Sequence, residues 1–188
     1  MRPSSLGGVA RITMNIEIRP YRTDDEDALL AAARESIHDV FPWLSWCHPE
    51  YQISDAREWI ARQIESFAKG NEFAFVISSN EHRFLGGCGL NRLNLIDRSA
   101  NLGYWVRTSA TGQGVAPQAA RLAVEWAFAN TAIERIEVVT ALKNGRSQRV
   151  AEKSGALREG IARSRLLLHN QFHDAVIYSI IKSGWSAT

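Results

Sequence analysis

The sequence predicts one α/β domain: a mixed, mostly antiparallel twisted sheet with helices on both faces. Three observations carry this. Apolar residues recur at helical spacing in two early segments and then switch to strict alternation in the runs that follow. From Asn101 a strand, a glycine loop and a helix follow one another without a break, and a further strand beyond that helix must lie parallel to the first, because the helix is a crossover. Finally, 188 residues with 45% hydrophobic and 22% charged suit a single globular domain with a sizeable core.

Residues 1–14, MRPSSLGGVARITM, have no hydrophobic stretch of the kind a signal peptide needs. They read as a flexible tail, with Met14 an alternative start, and the folded domain is expected over 15–185. Ile16 to Arg19 alternates as a strand, and Thr23-Asp24-Asp25-Glu26 reads as a capping box opening a helix whose buried face is Leu29, Leu30, Ala33 and Ile37. Phe41-Pro42-Trp43-Leu44-Ser45-Trp46 follows, dense in aromatics and broken by proline. It is either a turn that plugs the core or a wall of a substrate site. Ser54-Asp55 caps a second helix, which carries Trp59, Ile60, Ile64 and Phe67 on one face and stops at Gly70.

The period then changes. Phe73, Phe75 and Ile77 alternate, Ser78 to Glu81 turns the chain, and Phe84 to Leu90 returns as the second arm of an antiparallel hairpin. Gly86, Gly87 and Gly89 in the return arm point to a bulge or to a backbone that something approaches closely. After a turn at Asn94 to Arg98, Leu102, Tyr104, Trp105 and Val106 form a strand that stops at Thr108 and Ser109. Gly112 and Gly114 permit a tight loop, Pro117 fits a first helical turn, and apolar residues from Ala119 to Ala127 recur at helical spacing up to about Asn130. Ile133 to Val139 is the parallel strand, Asn144 to Ser154 a short helix ended by Gly155, and Arg163 to Leu168 with Ala175 to Ile181 a closing hairpin.

The unpartnered amides at the start of a helix, together with its dipole, make the loop before it a place for a phosphate or pyrophosphate. Neither GxxxxGK[ST] nor GxGxxG runs through Gly112 and Gly114, so a nucleotide-binding P-loop and a dinucleotide fingerprint are both excluded. A net charge of +2 argues against a nucleic-acid or membrane partner, and no run approaches the roughly 18 apolar residues of a span. Cys47 and Cys88 lie far apart without metal spacing, which fits a reducing cytoplasm. His169 and His173 flank a turn and lack a third ligand, so no metal is expected.

The order of elements, with Thr111-Gly112-Gln113-Gly114-Val115-Ala116 at its centre, resembles the GNAT superfamily of N-acetyltransferases over Ile16 to about Ile181. The family writes that loop as Gln or Arg, two residues, Gly, one residue, Gly or Ala; here Thr111 takes the first place. Trp43-Leu44-Ser45-Trp46, Leu102-Gly103-Tyr104-Trp105-Val106, Asn144-Gly145-Arg146-Ser147 and Lys153-Ser154-Gly155-Ala156, with Glu159-Gly160, Asp174 and Tyr178, resemble the branch that acetylates ribosomal-protein N-terminal alanine or serine. That branch often has Ala-Glu-Ile-Gly-Tyr-Trp where this chain has Ala100-Asn101-Leu102-Gly103-Tyr104-Trp105, an amide in place of a carboxylate.

The resemblance implies acetyl-CoA as cosubstrate, bound along Trp105 and Val106, on the amides of Thr111, Gly112, Gln113, Gly114, Val115 and Ala116, and by Asn144 and Ser147. It implies that a backbone N–H near Val106 stabilises the oxyanion and that Ser147 assists the leaving thiolate, with Tyr178 the other candidate acid. Without the family, Asn144 and Ser147 read simply as helix caps. Trp43, Trp46 and His38 are the candidates for the acceptor side. The acceptor is a primary amine, expected to be the α-amine of a peptide or protein N-terminus; a small-molecule amine, or a coenzyme-A-binding module without activity, are the alternatives. The sequence leaves oligomeric state open, and a homodimer paired through sheet edges or helices is what relatives suggest.

Overall fold

The computed structural model describes residues 14–186; the expectation for residues 1–13 lies outside them, and Met14 is half-buried against the core. The elements run β1 (Ile16–Pro20), α1 (Glu26–Val40), α2 (Ile53–Lys69), β2 (Phe73–Ser79), β3 (Phe84–Asn94), β4 (Ser99–Val106), α3 (Val115–Asn130), β5 (Arg135–Ala141), α4 (Gly145–Lys153), β6 (Leu157–Leu168) and β7 (Gln171–Ile181). Among the described residues one sheet forms, ordered β1-β2-β3-β4-β5-β7-β6. Every neighbouring pair in it is antiparallel except β4 and β5.

Alternation along the strands divides the core in two. Phe75, Ile77, Leu90, Ala100 and Leu102 point to one face and pack with Ala119, Ala123 and Val124 of α3. Val76, Phe84 and Trp105 point to the other and meet Leu29, Ala33, Trp59 and Ile60 of α1 and α2. The α2 stripe expected from the sequence is buried at Ile60 and partly exposed at Ile64, and Gly70 ends the helix in the left-handed region at φ 70°.

The helix starts differ from the expected caps. Asp25 accepts from the Arg22 amide at 2.7 Å and Asp55 from the Gln52 amide at 2.8 Å, so both boxes begin before the expected Thr23 and Ser54. At the first of them the chain enters through a short 3-10 turn, Thr23–Asp25, which places the carboxylate of Asp25 rather than Glu26 over the free amides. The bulge expected in β3 is present, between Ile77 and Ser78 of β2 opposite Gly86 and Phe84. A Cβ on Gly86 would sit 2.2 Å from the Trp105 carbonyl oxygen, which only glycine avoids. β6 is longer than expected, because Arg158, Glu159 and Gly160 carry no strand pattern and its pairing is interrupted twice.

One face of α1 grips the corner between β4 and the glycine loop. Glu35 accepts from the Arg107 guanidinium and, at 2.7 Å, from the Ser109 amide. Ser36 Oγ accepts from the Thr108 amide at 3.0 Å, and Asp39 accepts from Thr108 Oγ1 at 2.7 Å and from Arg146 of α4 at 3.0 Å. Two backbone amides that no strand satisfies are thereby paired, and α1, the loop and α4 are tied together.

The Arg107 guanidinium holds the Glu35 carboxyl down at about 2, against an ordinary 4.5. A carboxyl lowered by folding contributes stability that is full above its unfolded value and is lost as pH falls through the folded one. Glu35→Gln should therefore cost roughly 1 kcal/mol at pH 7. Urea melts should show the gap to the parent protein closing between about pH 4.5 and pH 2; a gap constant with pH would remove this ion pair from the account.

Candidate active site

β4 and β5 pair only at Ser99 with Arg135, Ala100 with Ile136 and Asn101 with Glu137. Beyond that point β4 continues to Val106 and β5 to Ala141 without pairing, so the two strands splay apart. The Arg107 N–H is bonded to the Leu85 carbonyl on the β3 side. Successive N–H groups of a strand alternate in direction, so the Val106 N–H points the other way, into the gap. A backbone donor thus faces an opening in the sheet.

On the α3 and α4 side of the gap, Tyr104 and Ser147 meet. The Tyr104 hydroxyl lies 3.0 Å from the Ser147 carbonyl oxygen, to which it donates, and 3.1 Å from Ser147 Oγ. Burial pushes the Tyr104 phenol up to about 12, so it remains a neutral donor. Asn144 caps α4, its Oδ1 accepting from the Ser147 amide at 3.0 Å. The capping reading and the ligand reading of Asn144 are compatible. Tyr178 is fully buried on β7, its hydroxyl donating to Glu152 at 3.2 Å, and burial raises its pKa.

The glycine loop enters α3 with Gly112 at φ 75° and Gly114, the cap residue, at φ 82°. Thr111 Oγ1 turns back to the Thr108 carbonyl at 2.8 Å and Gln113 Nε2 to the Ser109 carbonyl at 2.9 Å. Those side chains brace the loop. The amides of Gly112, Gln113, Gly114, Val115 and Ala116 have no partner among the described residues, and a Cβ on Gly112 or Gly114 would meet nothing within 4 Å. A run of free donors at a helix N-terminus beside open space is an anion site of backbone alone.

On the α1 and α2 side, Trp105 stacks edge to face with Trp46 at 5.2 Å, and Trp46 with Tyr51 at 5.5 Å. Trp46 packs against the core while contacting Trp105, and Trp43 is half-buried in the preceding turn. His38 is exposed near the end of α1, apart from this cluster. Asn101 Nδ2 donates to Asn91 Oδ1 on β3 at 3.0 Å. Its register partner on β5 is Glu137, whose carboxylate accepts from Arg135 at 2.9 Å.

Two of these residues escaped sequence reasoning. Tyr104 sits in the Leu102–Val106 stretch, where sequence pattern alone gives it no role, although alternation with Trp105 sends it to the opposite face. Glu137 carried no local signal, since its place beside Asn101 depends on the parallel register. Cys47 and Cys88 are both free and buried, and burial pushes their thiols up to about 11 and about 12. Among the described residues no group of His, Cys, Asp or Glu could hold a metal, and no helix is long and apolar enough to cross a membrane.

The chain is similar to known proteins over most of its length. YdaF of Bacillus subtilis (strain 168), provisionally named a ribosomal N-acetyltransferase, is 34% identical over 93% of this chain and 96% of its own. The ribosomal-protein-serine acetyltransferase of Escherichia coli (strain K12) is 24% identical over 73% of this chain and 76% of its own. RimL, a ribosomal alpha-N-protein acetyltransferase solved in complex with coenzyme A, superposes with a TM-score of 0.82 at 21% identity, covering 92% of this chain and 97% of its own. The profile of the acetyltransferase (GNAT) domain matches residues 15–157, and with the splayed strands and glycine loop in place the chain belongs to the GNAT family of N-acetyltransferases.

Proposed function

We propose that this N-acetyltransferase transfers the acetyl group of acetyl-CoA to the α-amine of a protein or peptide N-terminus. The observation that carries this reading is the gap between β4 and β5, which opens on the free amides at one face and on Trp105 and Trp46 at the other. The names of YdaF, RimL and the serine acetyltransferase support the acceptor class.

In this reading the pyrophosphate lies on the amides of Gly112 to Ala116 and the pantetheine arm runs past Asn144. The neutral amine attacks the thioester carbonyl, and the Val106 N–H donates to the oxygen as charge gathers there. The tetrahedral species collapses with loss of the thiolate, to which Ser147 Oγ gives a proton as it takes one back from water, the Tyr104 hydroxyl holding the serine in place. The amine's own proton goes to water. The two cysteine thiols are buried and held protonated, so neither serves as an acyl carrier and transfer is direct, within a ternary complex.

The engagement of the carboxylates of Glu137 by Arg135 and of Glu35 by Arg107, with an amide at Asn101, supports an α-amine. A lysine amine at about 10.4 is almost wholly protonated at pH 7, whereas an α-amine near 7.7–8.0 is neutral roughly one time in ten.

Three outcomes follow from this assignment. Gly114→Val should weaken acetyl-CoA binding, by calorimetry, at least tenfold in a folded protein, since its Cβ points into the open space beside the free amides and a β-branched residue strains the loop at φ 82°; unchanged affinity removes the anion site. Ser147→Ala should lower kcat by up to roughly 10²-fold, less where water substitutes, with little change in coenzyme affinity. Wild-type turnover would return Ser147 to helix capping. A free-N-terminus peptide without lysine should exceed an Nα-acetylated lysine peptide in kcat/KM, with a rate that rises through the acceptor's own pKa. Preference for the lysine peptide overturns the proposed acceptor.

A further inference from the structure

β6 is an edge strand, and its pairing to β7 breaks between Ala162 and Leu166. Ala162 faces Ala175 and Leu166 faces His173, so Arg163, Ser164 and Arg165 together oppose the single residue Asp174. The bulge is braced: the Ser164 amide donates to Asp174 Oδ1 at 2.9 Å, and Ser164 sits at φ 50°. A bulge of this kind re-aims side chains away from the sheet. Arg163 and Arg165 are both exposed.

A third cation stands beside them. The Leu142 amide bonds the Asp174 carbonyl at 2.9 Å, which brings Lys143, also exposed, to the same end of the sheet. Six other arginines are ion-paired, Arg107 and Arg135 among them, yet none of these three cations has a partner among the described residues. Asp174, opposite the bulge, already accepts from it. The hairpin also stands on the acceptor side, since His169 Nε2 lies 2.9 Å from the Phe41 carbonyl oxygen and the two rings meet edge to face at 4.4 Å.

We infer that the bulge of β6, with Lys143, docks an acidic stretch of the acceptor polypeptide a few residues beyond the amine that is acetylated. The inference rests on the α-amine reading above. From β5 to β6 is two strand spacings, about 10 Å, and the gap to β4 adds more, so the span is roughly 15–20 Å. An extended peptide rising about 3.3 Å per residue crosses it in about four to six residues. Carboxylates at those positions meet guanidinium groups whose planar fork suits them. A polypeptide is favoured over a nucleic acid because the chain's net charge is only +2 and the exposed cross-strand pair Leu167 and Phe172 lies just beyond the bulge on the same hairpin.

The test uses three peptides with the same free N-terminus and Asp/Glu, Asn/Gln or Arg at positions four to seven. For the parent protein the acidic peptide should exceed the neutral one in kcat/KM about three- to tenfold at low salt, through KM, and the advantage should vanish in high salt. Arg163→Ala/Arg165→Ala should abolish the advantage while leaving kcat and the neutral peptide unchanged. Arg163→Glu/Arg165→Glu should prefer the arginine peptide. Equal rates for acidic and neutral peptides in the parent protein, or an advantage that survives the double alanine variant, overturn the inference.

Fluorescence anisotropy of the labelled acidic peptide with coenzyme A present reads docking without turnover. Loss of that binding in the double variant supports the docking surface even where a small amine proves the better acceptor, an outcome that sinks the α-amine reading alone. Retention of a short RNA in place of the acidic peptide overturns the docking proposal.

Discussion

A parallel pair that ends after three residues leaves the rest of two strands facing each other with polar backbone and no partner, and the molecule is arranged around that gap. Each unpaired amide buried without a partner costs about 1–3 kcal/mol, so such an opening persists only if both strands are held from elsewhere and the gap can be reached by something that hydrogen-bonds. β4 is held by β3, its register running from Gly86 with Val106 down to Asn91 with Asn101. β5 is held by β7 over its full length. The opening is therefore a rigid slit in a stiff wall, and it comes ready to accept a ligand's amide and carbonyl groups.

The free end of β4 needs a further anchor, because it leaves the sheet at Val106 beside the gap. Glu35, Ser36 and Asp39 supply it from a helix more than sixty residues earlier in the chain. The same contacts reach Arg146, next to Ser147, so the end of β4 and the start of α4 share one brace. The carboxylates of Glu35 and Asp39 are thereby committed to holding the loop in place.

Much of this was legible in the sequence where local pattern decides. Helix α3 and its loop follow from Gly112, Gly114 and Pro117, and the β2–β3 hairpin from Phe73, Phe75 and Ile77. Family resemblance brought Asn144 and Ser147 to attention, and they do stand together at the start of α4. What could not be read was long-range. The extent of the β4–β5 pairing is set by bulges and crossings, not by composition, and the contacts of Glu35 and Glu137 join segments with no shared pattern. The helix caps shifted because local carboxylates compete for the same amides, and geometry at the entry turn decides between Asp25 and Glu26.

Strand alternation gives β4 one more property. Tyr104 and Trp105 are neighbours in sequence but stand on opposite sides of the wall, one against Ser147 and the other against Trp46. A substitution on the odd positions, or in the aromatic turn packed over them, reshapes one compartment and leaves the other's lining untouched. The scaffold is in that sense modular at the level of single residues. Selection can retune one side of the sheet while the packing on the far side stays as it was.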